Sequence, residues 1–127
     1  MRLLLDTHAF LWFAVGDRRL GRAARKALEH AGSELYISAA SIWEMAIKSS
    51  LKRLTLRGPI NRYIAEKIEE GYRVLPVEWE HAAAVEDLPF HHRDPFDRII
   101  IAQALTEEMT LVSRDKVFRR YGVQLVW

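Results

Sequence analysis

Short apolar runs alternate along this chain with longer stretches whose apolar residues recur at helical spacing, and that alternation predicts an α/β domain with a mostly parallel sheet. Leu3-Leu4-Leu5 stops abruptly at Asp6, the form of a central strand covered on both faces. Thr7 or Asp6 can cap a helix running towards Gly16, and Leu20 to His30 spaces its apolar residues for a second helix with Gly32 as its stop. Glu34 to Ser38 reads as a strand, and Ser38 or Ser41 opens a helix reaching about Ser50. A basic connector, Leu51 to Gly58, leads to an amphipathic helix over Pro59 to Glu70. Tyr72 to Val77 predicts a third strand and Glu78 to Glu86 a short helix with an alanine-rich face. Met109 to Ser113 and Val123 to Trp127 read as the last two strands, separated by a brief helical turn over Lys116 to Tyr121.

Two helices depart from ordinary amphipathic patterning. In the first, Asp94-Pro95-Phe96-Asp97 has the form of a helix start, with Asp at the N-cap and Pro at the first helical position. Ile99 to Ala102, Ala104 and Leu105 then make the helix almost wholly apolar, so it must be buried. Two carboxylates therefore stand at the mouth of a buried helix, and capping alone accounts for either of them. In the second, the helix from Ser38 or Ser41 to about Ser50 is apolar around most of its circumference except for Ser41, Glu44 and Lys48. Their spacing aligns them in one narrow stripe. Either Glu44 and Lys48 form an exposed ion pair, or the stripe looks into a cleft.

Length and composition narrow the chemistry. The 127 residues fit a single domain, 1–127, and half of them are hydrophobic with 28% charged, a globular balance. There is no cysteine, so disulfides, thiolate metal sites and cysteine nucleophiles are excluded. The apolar start of the chain is broken by Asp6 and His8, and no small-residue cleavage site follows, so a cytoplasmic location is expected. The net charge of +2 is a weak nucleic-acid signal by itself. It strengthens if several acids gather in one place, because the remaining surface is then more basic than the total suggests.

The predicted topology does gather them. Sites in open parallel sheets form beyond the carboxyl ends of the strands. Asp6 lies just past the first strand and Asp115 just past the fourth, while Asp94 and Asp97 begin the helix feeding that fourth strand. Glu44 lies on the helix after the second strand. Crowded carboxylates repel unless cations neutralise them, and an all-oxygen set points to Mg²⁺ or Mn²⁺. Such ions activate water for in-line phosphoryl displacement, so metal-dependent phosphodiester hydrolysis is the chemistry expected. The alternative is that each acid is a cap, an ion pair or a turn residue. His91 and His92, adjacent in a polar loop, are expected to be solvated, and Trp12, Trp43 and Phe96 to pack in the core.

Taken in order, Leu3-Leu4-Leu5-Asp6-Thr7-His8, Ile37-Ser38 through Trp43-Glu44, Arg93-Asp94-Pro95-Phe96-Asp97-Arg98 with Ile101-Ala102-Gln103-Ala104, and Leu111-Val112-Ser113-Arg114-Asp115 resemble a PIN domain, most nearly the VapC-type toxins of type II toxin–antitoxin systems. The resemblance runs from Met1 to Trp127. It implies a PIN-like (Rossmann-like) three-layer α/β/α fold around a central five-stranded parallel sheet, and an endoribonuclease using Mg²⁺ or Mn²⁺. By position, Asp6, Glu44, Asp97 and Asp115 match the family's four acids, and Asp94 an additional one. Ser113 stands where the family usually has Thr. Arg98 and Arg114, with Ser113, are expected at the RNA. The resemblance further implies a homodimer and a cognate antitoxin that blocks the groove, which Trp12, Trp43 and Phe96 would line if they do not pack in the core. Against this stand a catalytically inactive PIN-like module binding RNA or protein, which would lack acids that are all present here, and other aspartate-based phosphotransfer folds. A dehalogenase-type phosphatase wants Asp where His8 stands, and a receiver wants an Asp where Pro76-Val77 stands.

Overall fold

The structure, a computed structural model, describes residues 1–127. Five strands, β1 (Arg2–Leu5), β2 (Glu34–Ser38), β3 (Arg73–Leu75), β4 (Thr110–Val112) and β5 (Leu125–Val126), form one sheet in the order β3-β2-β1-β4-β5. Every neighbouring pair is parallel. The chain therefore builds outward from β1 to β3, then crosses back to lay β4 on the other side of β1. That reversal places the switch point between β1 and β4, where clefts open in folds of this kind.

Helices cover both faces because β1 is apolar on both. Leu3 and Leu5 pack into one core with Phe10, Ala24, Leu28, Met45 and Ile64. These come from α1 (Thr7–Val15), α2 (Arg22–Glu29), α3 (Ala39–Ser50) and α4 (Ile60–Glu69). Leu4 points the other way, into a core with Ile100, Ile101, Leu111 and Phe118. That side is closed by α5 (Trp79–Ala84), α6 (Pro95–Glu107) and a 3₁₀ turn over Lys116–Tyr121. The alternation along β1 is thus the three-layer α/β/α sandwich written in three residues.

Each predicted element is present, and most differences are at the ends. The third strand is shorter than its apolar run, Arg73–Leu75, because Pro76 cannot donate to a ladder. The second helix starts at Arg22 rather than Leu20, with Gly21 extended as its N-cap, and a Cβ at Gly21 would stand 2.5 Å from the Trp127 carbonyl carbon. No helix is long and apolar enough to cross a membrane.

Candidate metal and phosphodiester site

Asp6 is carried straight out of β1 into the switch point. Its N–H donates to the Val112 carbonyl at 3.0 Å, which ties it to the end of β4. Its side chain caps α1, Oδ1 accepting from the Ala9 N–H at 2.8 Å. Burial raises its pKa above the usual carboxylate value, the charge on Glu44 adds to the rise, and the Ser113 hydroxyl, the Ala9 amide and His8 oppose it. The sequence SRD after β4 thus has a local logic. Fully buried Ser113 places its hydroxyl near enough to Asp6 to lower its pKa, and its Oγ accepts from the Asp115 N–H at 3.1 Å.

Asp97 sits in the first turn of α6, where the buried helix meets the cleft. Burial and then Asp94 push its carboxyl up to about 7, Asp6 and Glu44 add to the rise, and His92 opposes it. Asp94 itself is exposed and is the cap: its Oδ1 accepts from Phe96 N–H at 2.8 Å and Asp97 N–H at 3.4 Å. The stripe on α3 resolves into both of its readings at once. Glu44 pairs with Lys48 at 2.9 Å, yet its side chain is only 14% exposed. Its other oxygen accepts from the Thr7 hydroxyl at 2.7 Å, so it is fixed from α1 as well.

Asp6, Glu44 and Asp97 therefore repel one another at the β1/β4 switch point, with the exposed Asp94 beside Asp97. No three acidic or imidazole groups stand close enough to form a finished metal shell. The donors are nonetheless all oxygen, and two of them are held above their ordinary pKa, which is the electrostatic condition a hard divalent cation relieves.

Other expected residues lie elsewhere. Asp115 caps the 3₁₀ turn, Oδ1 accepting from Val117 N–H at 3.0 Å, and its Oδ2 lies 2.7 Å from His92 Nε2. It is not among the charges acting on Asp6 or Asp97. His92 is not a solvated loop residue as expected. Its side chain is 12% exposed, its N–H donates to the Tyr121 hydroxyl at 2.6 Å, and its ring packs on Phe118 and Tyr121. Arg98, expected at a phosphate, is buried instead and its guanidinium donates to the carbonyls of Val85, Leu88, Pro89 and His92. It pins the loop that leads into Asp94. Arg114 is exposed, with its guanidinium 5.9 Å from the Trp12 ring centre. Trp43 also departs from expectation: it is 64% exposed and meets Phe96 edge-on, so it is no core residue. Sequence reasoning gave Thr7 no role at Glu44, although a hydroxyl directly after Asp6 was the available signal.

A profile of the PIN domain family matches residues 3–124. Ribonuclease VapC22 of Mycobacterium tuberculosis is 32% identical over 120 residues, spanning 94% of this chain and 91% of that protein. Among solved structures, a chain of VapBC2 from Rickettsia felis bound to a DNA fragment from their promoter superposes with a TM-score of 0.72 at 16% identity, over 98% of this chain and 97% of that one. A chain of a toxin-antitoxin complex from Klebsiella pneumoniae does so with a TM-score of 0.60 at 21% identity, over 91% and 89%.

Proposed function

This chain belongs to the PIN domain family, and on that footing we propose that it is a metal-dependent endoribonuclease, the toxin of a toxin–antitoxin pair acting in the cytoplasm. The observation that carries the chemistry is the raised pair Asp6 and Asp97 with Glu44 facing them at the β1/β4 switch point. Relationship to a ribonuclease supports the substrate.

In this reading Asp6, Glu44 and Asp97 hold Mg²⁺ or Mn²⁺. When bound, such an ion lowers the pKa of water and offsets charge developing on the phosphate. Asp6 is aimed by the Ala9 bond, and Glu44 by Thr7 and Lys48. Asp94 and Asp115 act from outside this trio, Asp94 by fixing the start of α6 and Asp115 by fixing the 3₁₀ turn with His92. The antitoxin is the proposed protein partner. A homodimer is proposed through the exposed apolar face around Trp43, Val77 and Phe90, which is larger than scattered single residues produce.

The test compares an unstructured RNA with a small phosphomonoester, each with chelator and then with Mg²⁺ or Mn²⁺. RNA cleavage that requires the ion supports the proposal. Hydrolysis of the monoester alone would place the chain with the phosphatases, and binding of RNA without cleavage would make it an inactive module.

A further inference from the structure

Beside Glu44 lies a trough of about 830 Å³. Thr7 and Lys48, which hold Glu44, also line it, so it begins where the acidic cluster ends. From there it continues between α1, the connector 51–59 and α4. Its apolar lining includes Leu11, Leu54 and Leu56, which are partly buried against the core, and Val15, which is exposed.

The charges that remain available are mostly positive. Asp17 is taken by Arg19 at 2.8 Å and Glu70 by Lys67 at 3.1 Å, leaving Glu66 as the one unpaired carboxylate of the lining. Arg53 and Arg57 are exposed in the same lining, and neither forms an ion pair. Lys52 precedes them, also exposed and unpaired. At the end next to Asp6, the exposed His8 imidazole stacks on Trp12 with ring centres 5.3 Å apart and planes within 17°. The guanidiniums of Arg19 and Arg114 lie 4.7 and 5.9 Å from the Trp12 ring centre. Trp12 is thus already packed, and His8 is the ring that remains open to a ligand.

Free cations along a trough, with a backed aromatic ring at its start, are what single-stranded nucleic acid requires: phosphates meet the cations and an unstacked base lies on the ring. A duplex does not fit this arrangement, because its bases are already stacked on each other. Resting on the ribonuclease reading above, we propose that this trough is the track for unpaired RNA, with Arg53 and Arg57 holding backbone phosphates and His8 stacking on a base next to the scissile bond.

The experiment measures binding of a labelled, unstructured oligoribonucleotide to the full chain carrying Asp6→Asn, in chelator, so that no cleavage intervenes. Adding Arg53→Gln and Arg57→Gln is expected to weaken binding about tenfold at low salt and to flatten the salt dependence by about 1.4 in log–log slope, at roughly 0.7 per phosphate contact. Arg53→Lys with Arg57→Lys should restore most of the affinity, which excludes a folding defect as the cause. His8→Ala should weaken the oligonucleotide about fivefold and leave an abasic strand unaffected, and a duplex of the same sequence should compete poorly. Unchanged RNA affinity in the glutamine variant overturns the track. So does a variant that loses affinity for a protein partner while keeping RNA, because the trough would then be a protein groove. If the wild-type chain fails to cut RNA while this binding pattern holds, the ribonuclease reading falls and the track stands. If the wild type cuts RNA while the glutamine variant binds it unchanged, the track falls and the ribonuclease reading stands.

Discussion

Asp97→Asn separates what the cleft costs from what it is for. In the metal-free protein, burial and the charges of Asp94, Asp6 and Glu44 move the Asp97 carboxyl from 3.8 to about 7. At about 1.4 kcal/mol per unit this is about 4 kcal/mol of penalty on the ionised form. The carboxyl is partly open to water, which screens the interaction, so about 2 kcal/mol is the reasonable expectation. Because the folded-state pKa lies above the unfolded one, the native protein binds more protons between them. Stability is therefore fully present below the unfolded value and is lost as pH rises from about 4 through about 7. Asparagine keeps the shape and removes the charge. Urea unfolding in chelator should find Asp97→Asn more stable than wild type by about 2 kcal/mol at pH near 8, with the difference closing by pH near 4. Millimolar Mg²⁺ should stabilise the wild type more than the variant, because it binds the folded cluster. The variant should at the same time lose RNA cleavage. Equal stability of the two proteins across this pH range would refute the idea that the surroundings of Asp97 penalise its ionised form.

Three further outcomes follow from single contacts. Arg98→Met should lower unfolding stability by about 3 kcal/mol, because it leaves four loop carbonyls without their shared donor; Arg98→Lys should recover little, since an ammonium cannot reproduce the fork. A change in RNA affinity without a change in the urea midpoint would instead return Arg98 to the phosphate. Ser113→Ala removes a hydroxyl that lowers the Asp6 pKa, so the acid limb of the pH–rate profile should move to higher pH; a limb that stays put would detach Ser113 from Asp6. Gly21→Ala should cost about 2 kcal/mol in a thermal or urea melt, because the added methyl would meet the Trp127 backbone, and a neutral result would show that the C-terminus yields.

Much of the fold is written locally. Leu3-Leu4-Leu5 alternates between two cores, Ser38 and Asp94 cap the helices they precede, and Gly16 ends α1 at φ 66°. These features depend on neighbours in sequence, so periodicity and capping rules reach them. The gathering of Asp6, Glu44 and Asp97 is one step further, since it follows once β1, β2 and β4 are parallel and adjacent. Side-chain partnerships made across the fold are not legible in this way. Arg98 looks like a surface cation in a polar motif, and only the path of residues 85–92 shows that it is needed to close four carbonyls. His92 likewise reads as solvated until the 3₁₀ turn brings Tyr121 and Asp115 to it. Asp115 is the converse case. Its place after β4 is right for a fourth acid, but the cap geometry and His92 claim both of its oxygens. The exposure of Trp43 escapes sequence patterning because α3 is apolar on every side but one stripe.

If the cluster at the β1/β4 switch point cuts RNA with the help of a divalent ion, both the ion and Asp6 must be indispensable. Cleavage of an unstructured RNA should therefore be followed with the purified wild-type chain and with Asp6→Asn, each in chelator and in Mg²⁺ or Mn²⁺. Ion-dependent cleavage by the wild type and none by a folded Asp6→Asn protein is the predicted result. Cleavage by Asp6→Asn at the wild-type rate, or cleavage by the wild type that persists in chelator, would contradict it.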